Sequence, residues 1–427
     1  KQLDPKDPTP YFYDAITKQT TNRPVEALQD MEKAIELNDN RAVYRSQLLL
    51  DSDAAARGAS QGRIYSDLGF QELALTEGWK SVNLDPSNFS AHRLLADSYS
   101  VLPRHEIARV SELLQSQLLQ PVSLTPIQPR LAESNLRLIS AGGPGALSNN
   151  EFNQLFTSNG FGVQGSVLGG NRGTHGEELV VSGLKNNVAF SLGGFRFNTD
   201  GWRDNAGQRD TIGNAFVQLD LSPGTGVQFE YRSRNIHDGD LQMTFFNDDV
   251  RKGLTASDRT DTYRLGFRHA ISPNSTVLGS MMYQESRSNT SDNSDPNASL
   301  NFAQPGDRGK GAELQYLYRS PRFNAIAGVG GYKLTRTQVT NFNVPGLLYS
   351  TEDNADISAK HTNVYLYTYF NNLVKNATFT LGVSKDFFNS DGNTVTTVSD
   401  PFFIFTGDSV TATAASRSTN QWNPKFG

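Results

Sequence analysis

Val227-Gln228-Phe229-Glu230-Tyr231-Arg232 alternates apolar and polar residues without a break. In an extended strand successive side chains point to opposite faces. Val227, Phe229 and Tyr231 therefore share one face, and Gln228, Glu230 and Arg232 share the other. The same pattern recurs along the chain. Tyr263, Leu265 and Phe267 oppose Arg264 and Arg268; Leu314, Tyr316 and Tyr318 oppose Glu313, Gln315 and Arg319. Val217, Leu219 and Leu221 oppose Gln218 and Asp220, and Ala377, Phe379, Leu381 and Val383 oppose Thr378, Thr380 and Ser384. Strands of this kind belong between a greasy and a wet environment.

Alternation alone does not separate a membrane barrel from a two-sheet sandwich. Connection lengths separate them better. Short connections at 185–187, 222–224, 272–274, 320–322 and 371–373 alternate with long polar ones at 200–209, 237–259, 287–309, 337–360 and 389–419. Short turns on one side and long loops on the other are the pattern of outer-membrane barrels. Several such loops would be out of place in a compact domain. Counting the runs predicts about twelve strands, the last beginning near Asn420. Aromatics near predicted strand ends, among them Phe195, Phe197, Tyr332 and Phe387, are candidates for interfacial girdles.

The bulk numbers agree with this reading. The chain has 427 residues, a net charge of −5 and no cysteine. The charge balance argues against a nucleic-acid binder. The absence of Cys excludes disulfides and thiolate metal sites. Mean hydropathy is −0.49, and no apolar run is long enough for a membrane helix. A barrel is compatible with that value, because half of its strand residues face a polar interior. The sequence starts at Lys1 and ends at Asn423-Pro424-Lys425-Phe426-Gly427, which reads as the opening of another strand. A piece of a longer chain, open at both ends, is expected.

Residues 11–121 show a different period, the 3.6-residue spacing of amphipathic helices. Tyr65 and Tyr99 are 34 positions apart, as are Ala74 and Ala108. An earlier copy shows Ala27, Met31, Ala34 and Leu37. With Gly69, Leu84 and Pro86 in one copy and Pro121 in the next, small residues where two helices cross, an aromatic in the first helix and a turn after the second, this segment resembles the tetratricopeptide repeat, whose period is 34. The copies are degenerate. Gly78 stands where a large apolar residue is usual, and about a dozen residues separate the first two copies. Such repeats need about three stacked pairs to bury a core and offer a concave surface to a partner. A plain helical bundle that only supports the second half is the alternative. The expected organisation is helical repeats over 1–121, a linker over 122–155 rich in Pro, Gly, Ser and Asn, and an incomplete transmembrane antiparallel β-barrel over 156–427. The segment 131–138 is compatible with one or two helical turns.

The strand composition, the long–short alternation and the closing Asn423–Gly427 resemble the barrels of TonB-dependent receptors. The chain departs from them in carrying helical repeats where a receptor has a plug and an energy-coupling box. Helical repeats ahead of a barrel resemble the architecture of polysaccharide-export porins. That resemblance implies an outer-membrane transport or secretion component. Its helices would lie in the periplasm and bind a protein partner or guide a substrate such as an exopolysaccharide. A receptor-like uptake barrel and an anchored assembly scaffold are the alternatives.

No catalytic constellation, metal site or cofactor is expected. His105-Glu106 lacks the second His of a zinc motif, Gly169-Gly170-Asn171-Arg172-Gly173 lacks the ending of a phosphate loop, and Asp292–Asn297 lacks calcium-loop spacing. The candidate functional residues are the charges assigned to the barrel interior: Asp220, Glu230, Arg232, Arg264, Arg268, Glu313, Arg319 and Lys385. They either set a field or sugar path along the lumen or pair across strands and stiffen a closed one.

Overall fold

In the computed structural model the described residues are 4–124 and 158–427, together with Phe156 and apart from positions 44, 101, 103–105, 243–245, 247–248, 375–376 and 403. Most of the expected linker, including 131–138, lies outside them, as does His105.

Among the described residues six helices come first: α1 (Thr9–Thr20), α2 (Pro24–Glu36), α3 (Gln47–Asp67), α4 (Gln71–Leu84), α5 (Phe89–Tyr99) and α6 (Glu106–Leu119). None of them is long and apolar enough to cross a membrane. A 3-10 segment, Asn38–Val43, fills part of the gap between α2 and α3. Alanines dominate the contacts. Ala15, Ala27 and Ala34 pack with Phe12, Met31 and Ile64 in one cluster, and Ala59 and Ala91 with Leu75, Val82, Leu94 and Leu95 in another. Gly78 has a packing reason: a Cβ there would stand 2.7 Å from Leu95 Cδ2. The large residue usual at this point of a repeat would force α4 and α5 apart.

Twelve strands follow: β1 (Gly160–Gly169), β2 (His175–Lys185), β3 (Val188–Thr199), β4 (Gln208–Ser222), β5 (Thr225–Asp238), β6 (Leu254–Ser272), β7 (Ser275–Asp292), β8 (Ser299–Tyr318), β9 (Phe323–Val344), β10 (Tyr349–Val374), β11 (Ala377–Ser399) and β12 (Ser409–Phe426). They form one antiparallel sheet in sequence order. Two-residue turns at Asn186-Asn187, Pro223-Gly224 and Pro273-Asn274 mark one end of the sheet.

The opposite end differs from the sequence expectation. Much of the expected loop sequence is strand. β9, β10 and β11 run for 22, 26 and 23 residues, well past the 9–11 that a tilted strand needs to cross a bilayer. Stretches such as Thr394-Val395-Thr396-Thr397-Val398 are polar enough to look like loop. Their β-branched residues nevertheless suit a ladder, and pairing of backbone groups continues wherever a neighbouring strand does. The true connections at this end include 200–207, 239–253, 293–298 and 400–408.

The outward face carries an apolar belt in register. Val217, Phe229, Leu265 and Met281 are cross-strand neighbours, all exposed. Leu314, Val329 and Val364 continue it. The other face is concave, and residues from β4 to β9 meet α4 and α6 there.

Candidate functional site: the helix–sheet junction

Helix α6 lies across the strands of the concave face. Ser111 donates to Glu313 Oε2 on β8 (3.0 Å), Leu114 packs on Met282 of β7, and Leu118 covers Gly266 of β6. The helix then ends against glutamines. Gln228 Nε2 on β5 donates to Gln117 O (2.6 Å), and Gln218 Nε2 on β4 donates to Gln120 O (2.9 Å). Moving three or four residues along a helix advances about 5 Å, close to the ~4.8 Å between strands. Successive turns of α6 can therefore meet successive strands. The last carbonyls of a helix have no partner within it, and here the sheet supplies donors to two of them. The end of α4 is treated in the same way: Asn324 Nδ2 donates to Asn83 O (2.8 Å) and Leu84 O (3.2 Å).

Gly266 permits the closest approach. A Cβ at this position would lie 2.3 Å from Leu118 Cδ2 and 3.2 Å from Arg264 Nη1. Beneath Leu118, Arg264 Nε donates to Glu230 Oε2 (3.1 Å), and Asn214 Nδ2 donates to Glu230 Oε1 (2.8 Å). The Arg264 and Glu230 side chains are 1% and 4% exposed. The pair is therefore desolvated, the regime in which breaking it is costly.

The other sequence-selected charges are distributed as follows. Arg232, buried, sits between Asn214 and Thr262 in the register. Arg268 Nη2 lies 3.9 Å from Asp220 Oδ1 near the short-turn end. Arg319 reaches the helices: it pairs with the buried Asp85 (3.0 Å) and donates to Ser87 Oγ (2.6 Å) and Leu48 O (3.2 Å). Lys385 is a correction. It shares parity with Val383 and Phe387, so it lies on the outward face, with its ammonium 5.1 Å from the Phe387 ring centroid and 4.8 Å from that of Trp422. Its charge suggested the interior; the two-residue period puts it outside.

A cavity of about 690 Å³ opens beside α6, roofed by Trp79, Tyr99 and Glu112 and floored by Glu313, Tyr332 and Tyr365. Tyr332 thus faces the helices and forms no part of a girdle. Glu313 Oε1 accepts from Tyr365 Oη (2.6 Å). The Tyr365 ring lies flat over its cross-strand partner Gly328, where a Cβ would be 2.3 Å from the ring. Sequence reasoning assigned Tyr332 to a girdle and missed Tyr365, because a tyrosine facing inward carries no charge to flag it. The glycine opposite each, Gly311 and Gly328, was the available signal.

Behind the cavity, His92 is buried in α5. Its Nε2–H donates to Pro86 O (2.8 Å) and its Nδ1 faces the Glu112 carboxylate. Burial pushes this imidazole down, but the Glu112 charge and the two hydrogen bonds outweigh it and hold the pKa above the ordinary 6.5.

The repeat positions fall in equivalent places. Tyr65 and Tyr99 stand at the ends of α3 and α5, Ala74 and Ala108 lie in α4 and α6, and Gly69 (φ +85°) makes the α3–α4 turn. Among the described residues no cluster of His, Asp or Glu could hold a metal ion.

No protein-family model matches the chain, and comparison with curated proteins finds no match. Solved structures do resemble it. The ferric yersiniabactin uptake receptor of Yersinia pestis aligns with a TM-score of 0.52 and 14% identity over 63% of this chain. The open form of the ferric-catecholate import receptor of E. coli K12 aligns at 0.48 and 13% over 64% of it. The chain spans 43% of the length of the first and 52% of the second. The first likeness shows the fold: the sheet is built like the barrels of TonB-dependent receptors.

Proposed function

We propose that the chain is a transport component of the Gram-negative outer membrane, acting by binding and passage rather than catalysis. Its sheet forms a wall around a polar path. The apolar belt at Val217, Phe229, Leu265 and Met281 faces lipid, and the short-turn end with its docked helices faces the periplasm. The observation that carries this reading is the pairing of that belt with a concave face of Gln218, Gln228, Glu230 and Arg264. The direction it favours is uptake, as in a receptor barrel. The strands that continue far beyond the belt support this, since they raise a surface suited to capturing a ligand outside the cell. Both solved relatives are described as uptake or import receptors.

A second reading is export, with tetratricopeptide-like helices recruiting a periplasmic partner or guiding a polysaccharide. It draws support from the equivalence of Tyr65 with Tyr99, and from the ion pair between Arg63 and Asp97, again 34 residues apart (3.2 Å). A gene-deletion strain separates the two. Uptake requires a loss of accumulation of a supplied nutrient or metal chelate. Export requires a secreted polymer to be retained in the periplasm. An unaltered strain in both assays would leave only an anchored scaffold.

A further inference from the structure

We propose that the outward face of the sheet carries a seat for a phosphorylated lipid headgroup, formed by Lys310, Lys333 and Lys360; this rests on the membrane reading above. The three lysines stand on β8, β9 and β10 in direct register, Lys310 opposite Lys333 and Lys333 opposite Lys360. All three are exposed. Each lies four residues from a belt residue of its own strand, Leu314, Val329 or Val364, on the side away from the short turns. An even spacing keeps it on the outward face, about 13 Å farther along the strand. Beyond the row the outward residues of these strands are polar: Arg308, Thr335 and Ser358. The lysines therefore mark the border of the apolar belt.

Adjacent strands are ~4.8 Å apart, and like charges set directly opposite one another destabilise a sheet. Among the described residues no carboxylate pairs with any of the three. The two carboxylates diagonal to the row are engaged elsewhere, Glu285 with Arg287 (3.2 Å) and Asp391 with Ser416 Oγ (2.7 Å). The row is thus arranged for an anion from outside the chain. Its surroundings identify that anion. Tyr283, Tyr263 and Tyr231 continue the same row on β7, β6 and β5, with successive ring centroids 6.3 and 4.9 Å apart, and Lys310 Nζ lies 5.9 Å from the Tyr283 ring centroid. Tyrosine concentrates at the level of lipid headgroups. An acidic protein segment would satisfy the lysines and leave Leu314, Val329 and Val364 uncovered. A lipid with phosphate on its headgroup satisfies both, its acyl chains lying along the belt and its phosphates against the ammonium groups. With the short turns in the periplasm, the row meets the outer leaflet, so the lipid is a phosphorylated glycolipid of that leaflet.

The test uses the intact protein in detergent, titrated with bis-phosphorylated lipid A and with the same lipid stripped of phosphate, and read by native mass spectrometry. K310Q/K333Q/K360Q should bind the phosphorylated lipid at least about tenfold more weakly than wild type, since each lysine near an anionic surface contributes about fivefold. The stripped lipid should not distinguish the two. K310R/K333R/K360R keeps the charges and should keep wild-type affinity. Equal affinity of wild type and the glutamine variant for the phosphorylated lipid would overturn the seat, as would a matching loss in the arginine variant. Displacement of the lipid by inorganic phosphate, but not by chloride of equal ionic strength, would assign the row to a free anion and overturn the lipid. Flotation with phosphatidylcholine vesicles is measured alongside. A protein that enters these vesicles but shows no preference for phosphate loses the seat alone; one that enters no vesicle loses the membrane reading as well.

Discussion

Replacing Glu230 by Leu tests whether α6 keeps water away from the sheet wall. The change leaves Arg264 buried with its main counter-charge gone; among the described residues only Gln228 Oε1, 3.4 Å from Nη1, remains as an acceptor. With Arg264 and Glu230 at 1% and 4% exposure, the cost falls in the range for breaking a buried pair, about 3–5 kcal/mol. The double variant E230L/R264M removes both charges at similar volume and should recover most of that loss, because the desolvation cost disappears with the charges. The assay is urea unfolding of the reconstituted protein, comparing midpoint and slope for wild type, single and double variants. A single variant losing less than about 1 kcal/mol would place the pair in water, as for a surface ion pair, and refute the sealed junction.

The remaining predictions concern other parts of the molecule. His92 has a raised folded-state pKa, so its contribution is complete below 6.5 and fades as pH rises through the raised value. Trp79 fluorescence should report loosening of the helices on that alkaline side, and His92→Gln should abolish the dependence; an identical profile in the variant contradicts it. Burial pushes the Asp400 carboxyl up, but backbone N–H groups of Ile404, Phe405, Thr406 and Gly407, at 2.8–3.0 Å, bring its pKa to about 2. Its stabilisation of the 400–408 connection is present above 3.8 and is lost as pH falls through about 2. Asp400→Ala should deprotect the amides of 404–407 to hydrogen exchange at neutral pH, and unchanged protection counts against it. Gly328→Val drives a side chain into the Tyr365 ring and should cost about 1–3 kcal/mol of barrel stability by urea midpoint, whereas a neutral effect would mean the ring is not seated there.

The fold could be read from the sequence because its main signal is local. Two-residue alternation, as in 227–232, specifies a strand and its faces together, and the Pro-Gly and Pro-Asn pairs at 223–224 and 273–274 mark the turns between strands. The strand ends were obscure for a physical reason. On the proposed reading both faces meet water beyond the membrane, so the alternation disappears while the ladder continues, and 389–398 looked like loop. Lys385 was misplaced when charge was given priority over parity; a lysine stem can lie along an apolar face with its head near aromatic rings. The docking of α6 was not legible. It depends on Gln117 and Gln120 meeting Gln228 and Gln218 across about a hundred residues, and uncharged glutamines carry no periodic signature. Gly266 carries no charge and no alternation signal, although it is the recess that brings helix and sheet together.

The most direct measurement is a cysteine scan of 263–268 in β6, with each variant spin-labelled in lipid and its collision rate with oxygen compared with that of a water-soluble nickel chelate. Labels at 263, 265 and 267 should be reached by oxygen from the bilayer, and those at 264, 266 and 268 should be shielded from it. Equal shielding at all six positions, as between two sheets sharing a dry centre, or equal exposure of all six to the chelate, would contradict a lipid-facing wall.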